Sequence, residues 1–160
     1  MDERQDGKTP RIATLGQMGL QHFAPYLMNR IMGRYNATLR HDLREQGLTV
    51  PQARALAVLM VGDGMSINEL SVYTVIEQST MSRTLDALET QGLVRREACQ
   101  DDSRTRHIFL TDKGREEFNR AWPAMHDAFA EMFNDIDEAE YSAFIATLQK
   151  ILGNIRQHDF

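Results

Sequence analysis

The chain has 160 residues, 42% of them hydrophobic and 26% charged, and its formal net charge is −5. These values are ordinary for one globular unit with a sizeable core. The longest unbroken apolar run, Ala55–Val61, is too short to cross a bilayer, so no membrane partner is expected. A single cysteine, Cys99, excludes an intrachain disulfide and a cysteine-rich zinc site.

Residues 1–24 are expected to form an N-terminal tail with one possible short helix. Residues 1–8 contain no apolar stretch, so they cannot act as a secretory signal, and a disordered tail is favoured there. The candidate short helix covers residues 14–20. The absence of a signal and the single cysteine predict a cytoplasmic protein in a reducing compartment.

The acidic net charge is unfavourable for a nucleic-acid binder, so its distribution along the chain matters. Residues 1–77 carry eight basic and eight acidic side chains. Residues 78–115 carry seven basic against six acidic, whereas residues 116–160 carry three basic against nine acidic. This pattern suits a middle part that faces DNA and a C-terminal part that faces away, although simple solvated faces are the alternative.

From Pro25 onward the sequence predicts two helices. In the first, apolar residues recur every four positions from Leu27 to Leu43, and Gly47 ends the helix. The second begins with Thr49-Val50-Pro51-Gln52, which is a capping box with proline in the first turn, and residues 62–64 end it. Its buried stripe is predicted to comprise Ala53, Leu56, Leu59 and Met60.

Residues 66–92 predict a helix-turn-helix. The capping box Ser66-Ile67-Asn68-Glu69 opens a short helix with Leu70 inward, and residues 74–77 make the turn. The next helix is predicted from Gln78 to Thr90, with an apolar stripe of Met81, Leu85 and Leu88 and a stop at Gly92. Two short helices joined by a tight turn, the second strongly amphipathic, are typical of this motif.

A β-hairpin and two helices complete the predicted elements. Residues 93–98 and 106–110 favour short strands, and residues 100–103 form the polar connection between them. Thr111 can cap the next helix, in which Pro123 should cause a kink. Residues 137–140 cap the last helix. Its residues predicted to face inward are Tyr141, Phe144, Leu148, Ile151, Leu152 and Ile155.

The fold class is therefore mainly α with a small β-hairpin wing, that is, a winged helix-turn-helix with dimerisation helices at both ends. Residues 48–114 form the predicted module, and residues 25–47 and 115–160 form the dimerisation helices. The flanking helices carry wide apolar stripes beside a module that has its own core, and surplus apolar surface usually indicates a partner. We expect a two-fold homodimer; intramolecular packing of these helices is the alternative.

The order of elements and several short motifs resemble the MarR family of bacterial winged-helix regulators. The pairing of an Asp-x-Arg wing with a following Leu-Thr-x-x-Gly is fairly specific, and the match covers about residues 25–155. The motifs that carry the resemblance are Leu48-Thr49, Ser79-Thr80-Met81-Ser82-Arg83, Leu88-Glu89, Gly92-Leu93-Val94-Arg95, Asp102-Ser103-Arg104 and Leu110-Thr111-Asp112-Lys113-Gly114.

The resemblance implies a homodimer on a pseudo-palindromic operator, usually a repressor, whose binding a small-molecule or oxidative signal loosens. It implies that Arg104 reaches the minor groove and that Asp102 braces the wing loop. Contacts of the recognition helix would fall on Gln78, Ser79, Ser82 and Arg83. Peroxide-sensing members use a cysteine near the N-terminal helix, and this chain has none there, which puts that route in doubt.

The residues support DNA binding without the family. Gln78, Ser79, Ser82 and Arg83 share one helical face opposite the apolar stripe, and Asp86 lies a turn further, where we expect it to point past the groove. Small hydroxyl side chains such as Ser79 and Thr80 permit close backbone approach and donate to phosphates. Glutamine can pair with an adenine edge, and arginine with a guanine edge or a phosphate. The alternative is that Ser79 only caps the helix and that Arg83 is a solvated charge.

The arginines of the hairpin have two open interpretations. Arg95, Arg96 and Arg106 either contact phosphates or only stabilise the hairpin. Arg95 and Arg96 cannot both face the same way, because neighbouring side chains of a strand alternate between its faces. Arg104 suits a narrow minor groove, where the negative potential is enhanced.

Other kinds of function receive little support. The five histidines are dispersed and no catalytic motif is present, so neither an enzyme nor a cofactor nor a metal site is expected. Cys99, Asp101 and His107 could form a metal or redox switch on the wing, but an ordinary strand cysteine is favoured. The second function class is a winged-helix protein-interaction or dimerisation module that does not read DNA, which the net acidity supports.

An effector pocket is a further hypothesis. His22, Tyr26 and Arg30 lie at four-residue spacing and are predicted on the first long helix. Tyrosine and arginine would suit a small aromatic or carboxylate ligand. The alternative is that Tyr26 is a core or interface residue and that Arg30 is solvated.

Overall fold

The computed structural model describes residues 14–98 and 105–158. Seven α-helices, one 3₁₀ helix and three strands occur within these ranges. In chain order they are α1 (Leu15–Met18), the 3₁₀ helix (Leu20–His22), α2 (Ala24–Glu45), α3 (Val50–Val61), β1 (Met65–Ser66), α4 (Ile67–Thr74), α5 (Gln78–Thr90), β2 (Val94–Ala98), β3 (Arg106–Leu110), α6 (Asp112–Met132) and α7 (Glu138–Ile155). Within the described ranges, none of the helices is both long and apolar enough for a membrane span.

The chain divides into two compact units, and the boundary lies between Ala37 and Thr38. The first unit contains α1, the 3₁₀ helix and the N-terminal part of α2. The second contains the end of α2 and all following elements. All buried residues of the described ranges lie between Leu39 and Ala128 and belong to the second unit.

Capping residues begin the helices at the positions that the sequence predicts. Thr49, Ser66 and Asp137 each accept a hydrogen bond from the backbone N–H three residues later. The side-chain oxygen of the glutamine or glutamate at that position accepts one in turn from the backbone N–H of the cap residue. Each reciprocal pair satisfies two N–H groups that have no partner within the helix. Thr14 forms the same arrangement at α1, so the predicted short helix is confirmed.

One predicted helix boundary is wrong. His22 was expected on the first long helix, but it ends the 3₁₀ helix and is separated from α2 by Phe23. Pro25 accounts for the break, because proline has no N–H to continue the helical hydrogen bonds across Phe23, whereas it is tolerated in the first turn of α2. Tyr26 and Arg30 do lie on α2.

The helix-turn-helix is formed by α4 and α5. Met81, Leu85 and Leu88 of α5 have no exposed surface, nor has Leu70 of α4, so the predicted stripe is confirmed. Burial of each such side chain stabilises the fold by about 1.5–3 kcal/mol. The turn passes through Val75, which has a left-handed backbone with φ of 55° and is 86% exposed. A β-branched residue rarely adopts that conformation.

The wing sheet has three strands rather than the predicted two. Its order is β1-β3-β2, and both neighbouring pairs are antiparallel. The additional strand, β1, has only two residues, so its sequence cannot show the alternation of apolar and polar side chains that predicts a strand. Backbone and side-chain hydrogen bonds join β3 to the residues just before β1. Gly64 N–H donates to the Ile108 carbonyl at 3.1 Å, and the Asp63 carboxylate accepts from Leu110 N–H at 2.8 Å.

The start of α6 packs closely against the residues that lead into β2. The Thr111 hydroxyl lies 2.7 Å from the Gly92 carbonyl oxygen, to which it donates, and it accepts from Gly114 N–H at 3.0 Å. A Cβ atom on Gly114 would lie 2.0 Å from the Leu93 carbonyl oxygen. The Leu-Thr-x-x-Gly motif therefore has a structural reason, because this contact leaves no room for a side chain.

The last two helices meet through aromatic rings. The centre of the Phe133 ring lies 5.1 Å from that of Phe129 and 4.9 Å from that of Tyr141. Phe133 and Tyr141 meet edge to face, which is an arrangement that aromatic pairs prefer. None of the residues of α7 is buried, and Phe144, Ile151, Leu152 and Ile155 are exposed. The prediction that these four side chains face inward is therefore wrong within a single chain.

We expect Gly114→Ala to lower the free energy of unfolding by about 1–3 kcal/mol, because the new methyl group would clash with the Leu93 backbone. Such a loss lowers the melting temperature by about 2–4 °C per kcal/mol in a chain of this size. Thermal unfolding followed by circular dichroism measures the change. Gly33→Ala is the control, since a Cβ atom there meets nothing within 4 Å, and an equal melting temperature for both variants would contradict the prediction.

Candidate nucleic-acid interface

The exposed face of α5 carries the polar residues that the sequence singled out. Gln78, Ser79 and Arg83 are exposed, and Thr80 and Ser82 are half-buried at the edge of the same face. Arg83 Nη2 lies 3.4 Å from the Thr80 hydroxyl oxygen, which accepts its hydrogen bond. The burial of Met81, Leu85 and Leu88 directs this face outward, because the two sets alternate at helical spacing.

The N-terminus of α5 retains hydrogen-bonding capacity for a ligand. Glu77 occupies the cap position, but its side chain forms no capping hydrogen bond. The first N–H groups of a helix have no partner within it, and they carry the positive end of the helix dipole. Serine at the second position of α5 adds a small hydroxyl beside them, so the helix tip can donate to an anion.

A cleft of about 600 Å³ separates α5 from the wing strands and the start of α4. Gln78 and Ser82 line it from α5, and Thr105 and Arg106 line it from the other side. Arg106 is exposed at the start of β3. The cleft thus brings together donors from two predicted DNA-binding segments.

Part of the predicted site lies outside the described residues. These residues are Arg104 and Asp102 of the wing, together with Cys99 and Asp101 of the alternative redox switch. His107, the third member of that switch, is half-buried on β3 opposite Glu97 of β2. Across the ranges that are described, His, Cys, Asp and Glu form no group of three suited to a metal ion.

The two consecutive arginines of β2 face opposite sides, as strand alternation predicts. Arg95 lies with its guanidinium carbon 4.7 Å from the ring centroid of Phe109, its cross-strand neighbour, and it also pairs with Glu97. Arg96 points the other way, toward α5. Its Nη2 lies 2.6 Å from Asp86 Oδ1, and its Nη1 lies 2.9 Å from Glu89 Oε2.

Sequence reasoning missed this double ion pair. Asp86, which is expected to point past the groove, is bonded to the wing strand through Arg96. A signal was present: Val94 and Arg96 share one face of β2, and Val94 is buried, so Arg96 had to face the helix as well. Identifying its partners needed the helix position, which the local pattern does not contain.

The start of α4, which borders the cleft, holds an ionised carboxylate. The Ser66 backbone N–H donates to Glu69 Oε2 at 2.8 Å, and this bond is the main cause that lowers the pKa of Glu69. A hydrogen bond with the Ser66 hydroxyl is the second cause. The nearby charge of His107 acts in the same direction. The carboxylate is therefore committed to its capping box.

The candidate effector residues are partly brought together. Arg30 Nη1 donates to the Tyr26 hydroxyl at 3.3 Å, and the guanidinium carbon lies 5.9 Å from the tyrosine ring centroid. Tyr26 is half-buried and Arg30 is exposed. His22 is exposed on the 3₁₀ helix rather than on α2, so the three residues do not share one helix face.

Comparison with known proteins identifies the family. A model of the MarR family matches residues 46–105, which span α3 to the wing. The crystal structure of a MarR-family transcriptional regulator from Silicibacter pomeroyi is 48% identical, with a TM-score of 0.87. That match covers 92% of this chain and 99% of the other.

Two further relatives have named roles. The HTH-type transcriptional repressor IacR of Pseudomonas putida is 24% identical over 135 residues, which cover 84% of this chain and 81% of IacR. The transcriptional repressor CouR, bound to a 23-mer DNA duplex, is 26% identical with a TM-score of 0.71, and the match covers 84% of this chain and 96% of CouR. With the winged fold, the motifs and the close match from Silicibacter pomeroyi in agreement, this chain belongs to the MarR family of winged-helix transcriptional regulators.

Proposed function

We propose that the protein is a repressor that binds a pseudo-palindromic DNA operator as a homodimer. The observation that carries this proposal is the outward polar face of α5 next to the cleft that Arg106 borders. A helix of this kind fits the major groove, where side-chain donors and acceptors distinguish the four base pairs. In CouR, a relative with the same fold, a DNA duplex is bound.

The five polar residues of α5 from Gln78 to Arg83 each have a role in this proposal. Gln78 reads an adenine edge, and Arg83 reads a guanine edge or contacts a phosphate. Ser79, Thr80 and Ser82 donate hydroxyl groups to phosphates and, being small, permit close approach. The free N–H groups at the helix start add anion binding that does not depend on sequence.

The wing supplies the second contact in the proposal. Arg104 enters the minor groove and Asp102 braces the loop, as the resemblance implies, while Arg106 contacts a phosphate beside the cleft. Such a regulator acts where the chromosome lies, so we also propose that it works in the cytoplasm.

Arg83→Ala and Arg104→Ala should each weaken operator binding while the protein stays folded and dimeric. Removal of a base contact costs about 1–3 kcal/mol, and removal of a phosphate contact lowers the salt-dependence slope by about one. Fluorescence anisotropy with the DNA flanking the protein's own gene, over a salt series, measures both quantities.

Arg120→Ala is the matched control for these variants, since Arg120 is exposed on α6 and pairs with Glu117 at 3.1 Å. Unchanged affinity in both test variants would contradict the assignment of the contacts. Wild-type protein without sequence-selective affinity at moderate salt would favour the alternative, a winged-helix module that binds proteins.

The homodimer accounts for the apolar surface of the flanking helices. In the second unit Trp122 is 49% exposed, Leu152 62% and Ile155 69%. In the first unit Leu27 and Ile31 are 40% and 47% exposed. Exposed apolar side chains at helical spacing are typical of helices that pack against a partner, and residues 25–47 and 115–160 therefore provide the proposed interface.

Leu152→Glu should shift the protein from dimer to monomer and weaken operator binding, because a charge would be buried in the interface without a partner. Light scattering coupled to size-exclusion chromatography measures the mass. Ala146→Glu adds the same charge to an exposed position on the opposite side of α7 from Leu148, Ile151 and Ile155, and it should leave the dimer intact. A wild-type monomer at micromolar concentration would exclude the dimeric arrangement.

We further propose that a small aromatic carboxylate binds at Tyr26 and Arg30 of one protomer, with His22 nearby in sequence, and weakens DNA binding. The contact between the tyrosine hydroxyl and the guanidinium supports this, since it orients a donor pair that suits a carboxylate next to an aromatic face.

A panel of benzoates should therefore raise the melting temperature, and Arg30→Ala should abolish the shift. A ligand at one hundred times its dissociation constant stabilises the folded state by about 2.7 kcal/mol, which thermal-shift assays detect. Arg44→Ala, at another exposed position of α2, is the control. An equal shift in the Arg30 variant would mean that the ligand binds elsewhere.

A further inference from the structure

The double ion pair of Arg96 connects the wing to the recognition helix. Arg96 belongs to β2, whereas Asp86 and Glu89 lie three residues apart on α5, and each carboxylate accepts from a different terminal nitrogen of the same guanidinium. The aliphatic part of Arg96 lies on the same strand face as the buried Val94, and the side chain is only 18% exposed. Three side chains from two elements therefore form one charged cluster, which we call the wing clamp.

The geometry leaves Arg96 little capacity to bind a phosphate itself. Each terminal nitrogen donates one of its two N–H groups to a carboxylate, at 2.6 and 2.9 Å, and the two negative charges more than offset the positive charge that would attract a phosphate. Its Nε atom is buried and has no hydrogen-bond partner among the described residues. An arginine that reads DNA extends into solvent, whereas this one is held against the protein by its stem and its two acidic partners.

The acidic members of the clamp are unusual for a DNA-facing helix. Asp86 and Glu89 remain 60% and 41% exposed, and Glu89 lines the cleft. A negative charge near DNA phosphates costs affinity at long range. Their presence on α5 needs a compensating benefit, and the bonds to β2 supply one, because they set the position of the wing strands relative to the helix.

We propose that Arg96 is a positioning residue for operator binding, which acts through Asp86 and Glu89 to hold the wing at the spacing needed for simultaneous groove contacts. This inference rests on the proposed DNA-binding function. The two acidic partners are exposed to solvent, which screens their bonds to Arg96, so loss of either carboxylate should change folding stability little and operator affinity more.

The decisive variant is Asp86→Asn, because a purely electrostatic effect and a positioning role predict opposite changes in operator affinity. Removal of a negative charge near DNA tightens binding if only the charge matters. Loss of the clamp weakens it, and we expect a drop of at least about threefold in operator affinity, in the range found for coupled neighbours. Glu77→Gln is the matched control, since it removes an exposed negative charge that forms no capping bond at the start of the same helix, and its affinity should stay equal or rise.

Arg96→Gln separates positioning from direct contact. We expect weaker binding with an unchanged salt-dependence slope, whereas loss of a phosphate contact lowers the slope by about one. Both substitutions remove the same clamp, so their effects should not be additive. The fold loss of operator affinity in the double variant of Asp86→Asn with Arg96→Gln should be smaller than the product of the two single losses. Arg96→Lys should restore affinity only in part, because an ammonium cannot bridge two carboxylates as a guanidinium does.

Circular dichroism melts and chromatographic mass of every variant show that the fold and the assembly are retained. Wild-type protein that lacks sequence-selective DNA affinity would overturn the proposed function and this inference together. A wild type that binds, with Asp86→Asn binding equally well or more tightly, would overturn the positioning role alone. A slope reduced by one in Arg96→Gln would reassign Arg96 as a phosphate contact.

Discussion

The burial of one apolar stripe on α5 determines the arrangement of the candidate DNA-binding surface. Met81, Leu85 and Leu88 are fully buried, so the helix has one possible rotation about its axis. That rotation leaves Gln78, Ser79 and Arg83 exposed on the opposite face. A rotation that exposed the stripe would forfeit about 1.5–3 kcal/mol for each of the three side chains. Hydrophobic packing therefore sets which polar groups can meet a ligand.

Charge in this protein is best understood locally. The chain is acidic overall, yet Asp86 and Glu89 of α5 are paired with Arg96, and Glu97 is paired with Arg95. These pairs reduce the repulsion that DNA phosphates would meet at the cleft. The remaining excess of negative charge lies mostly after residue 115, on α6 and α7. A net charge of −5 is thus compatible with a surface that attracts DNA.

The two compact units differ in how far they are packed. All buried residues of the described ranges belong to the second unit, but none of them lies on α7. The first unit exposes several large apolar side chains, among them Leu15 and Ile31. A second copy of the chain is the occupant that we propose for these surfaces, which explains why the sequence pattern of α7 resembles that of an interior helix.

The sequence by itself determined the helices, their caps and the polar face of α5, because these depend on residues within about four positions of one another. The tertiary structure alone decided the short strand β1, the left-handed Val75, the close approach of Gly114 to Leu93 and the partners of Arg96. Each of these features depends on contacts with another element, and in the wing the contacting residues are as far apart in sequence as Asp63 and Leu110. The local periodicity of a sequence does not show which residues far apart in the chain contact each other, so these features follow only from how the elements pack.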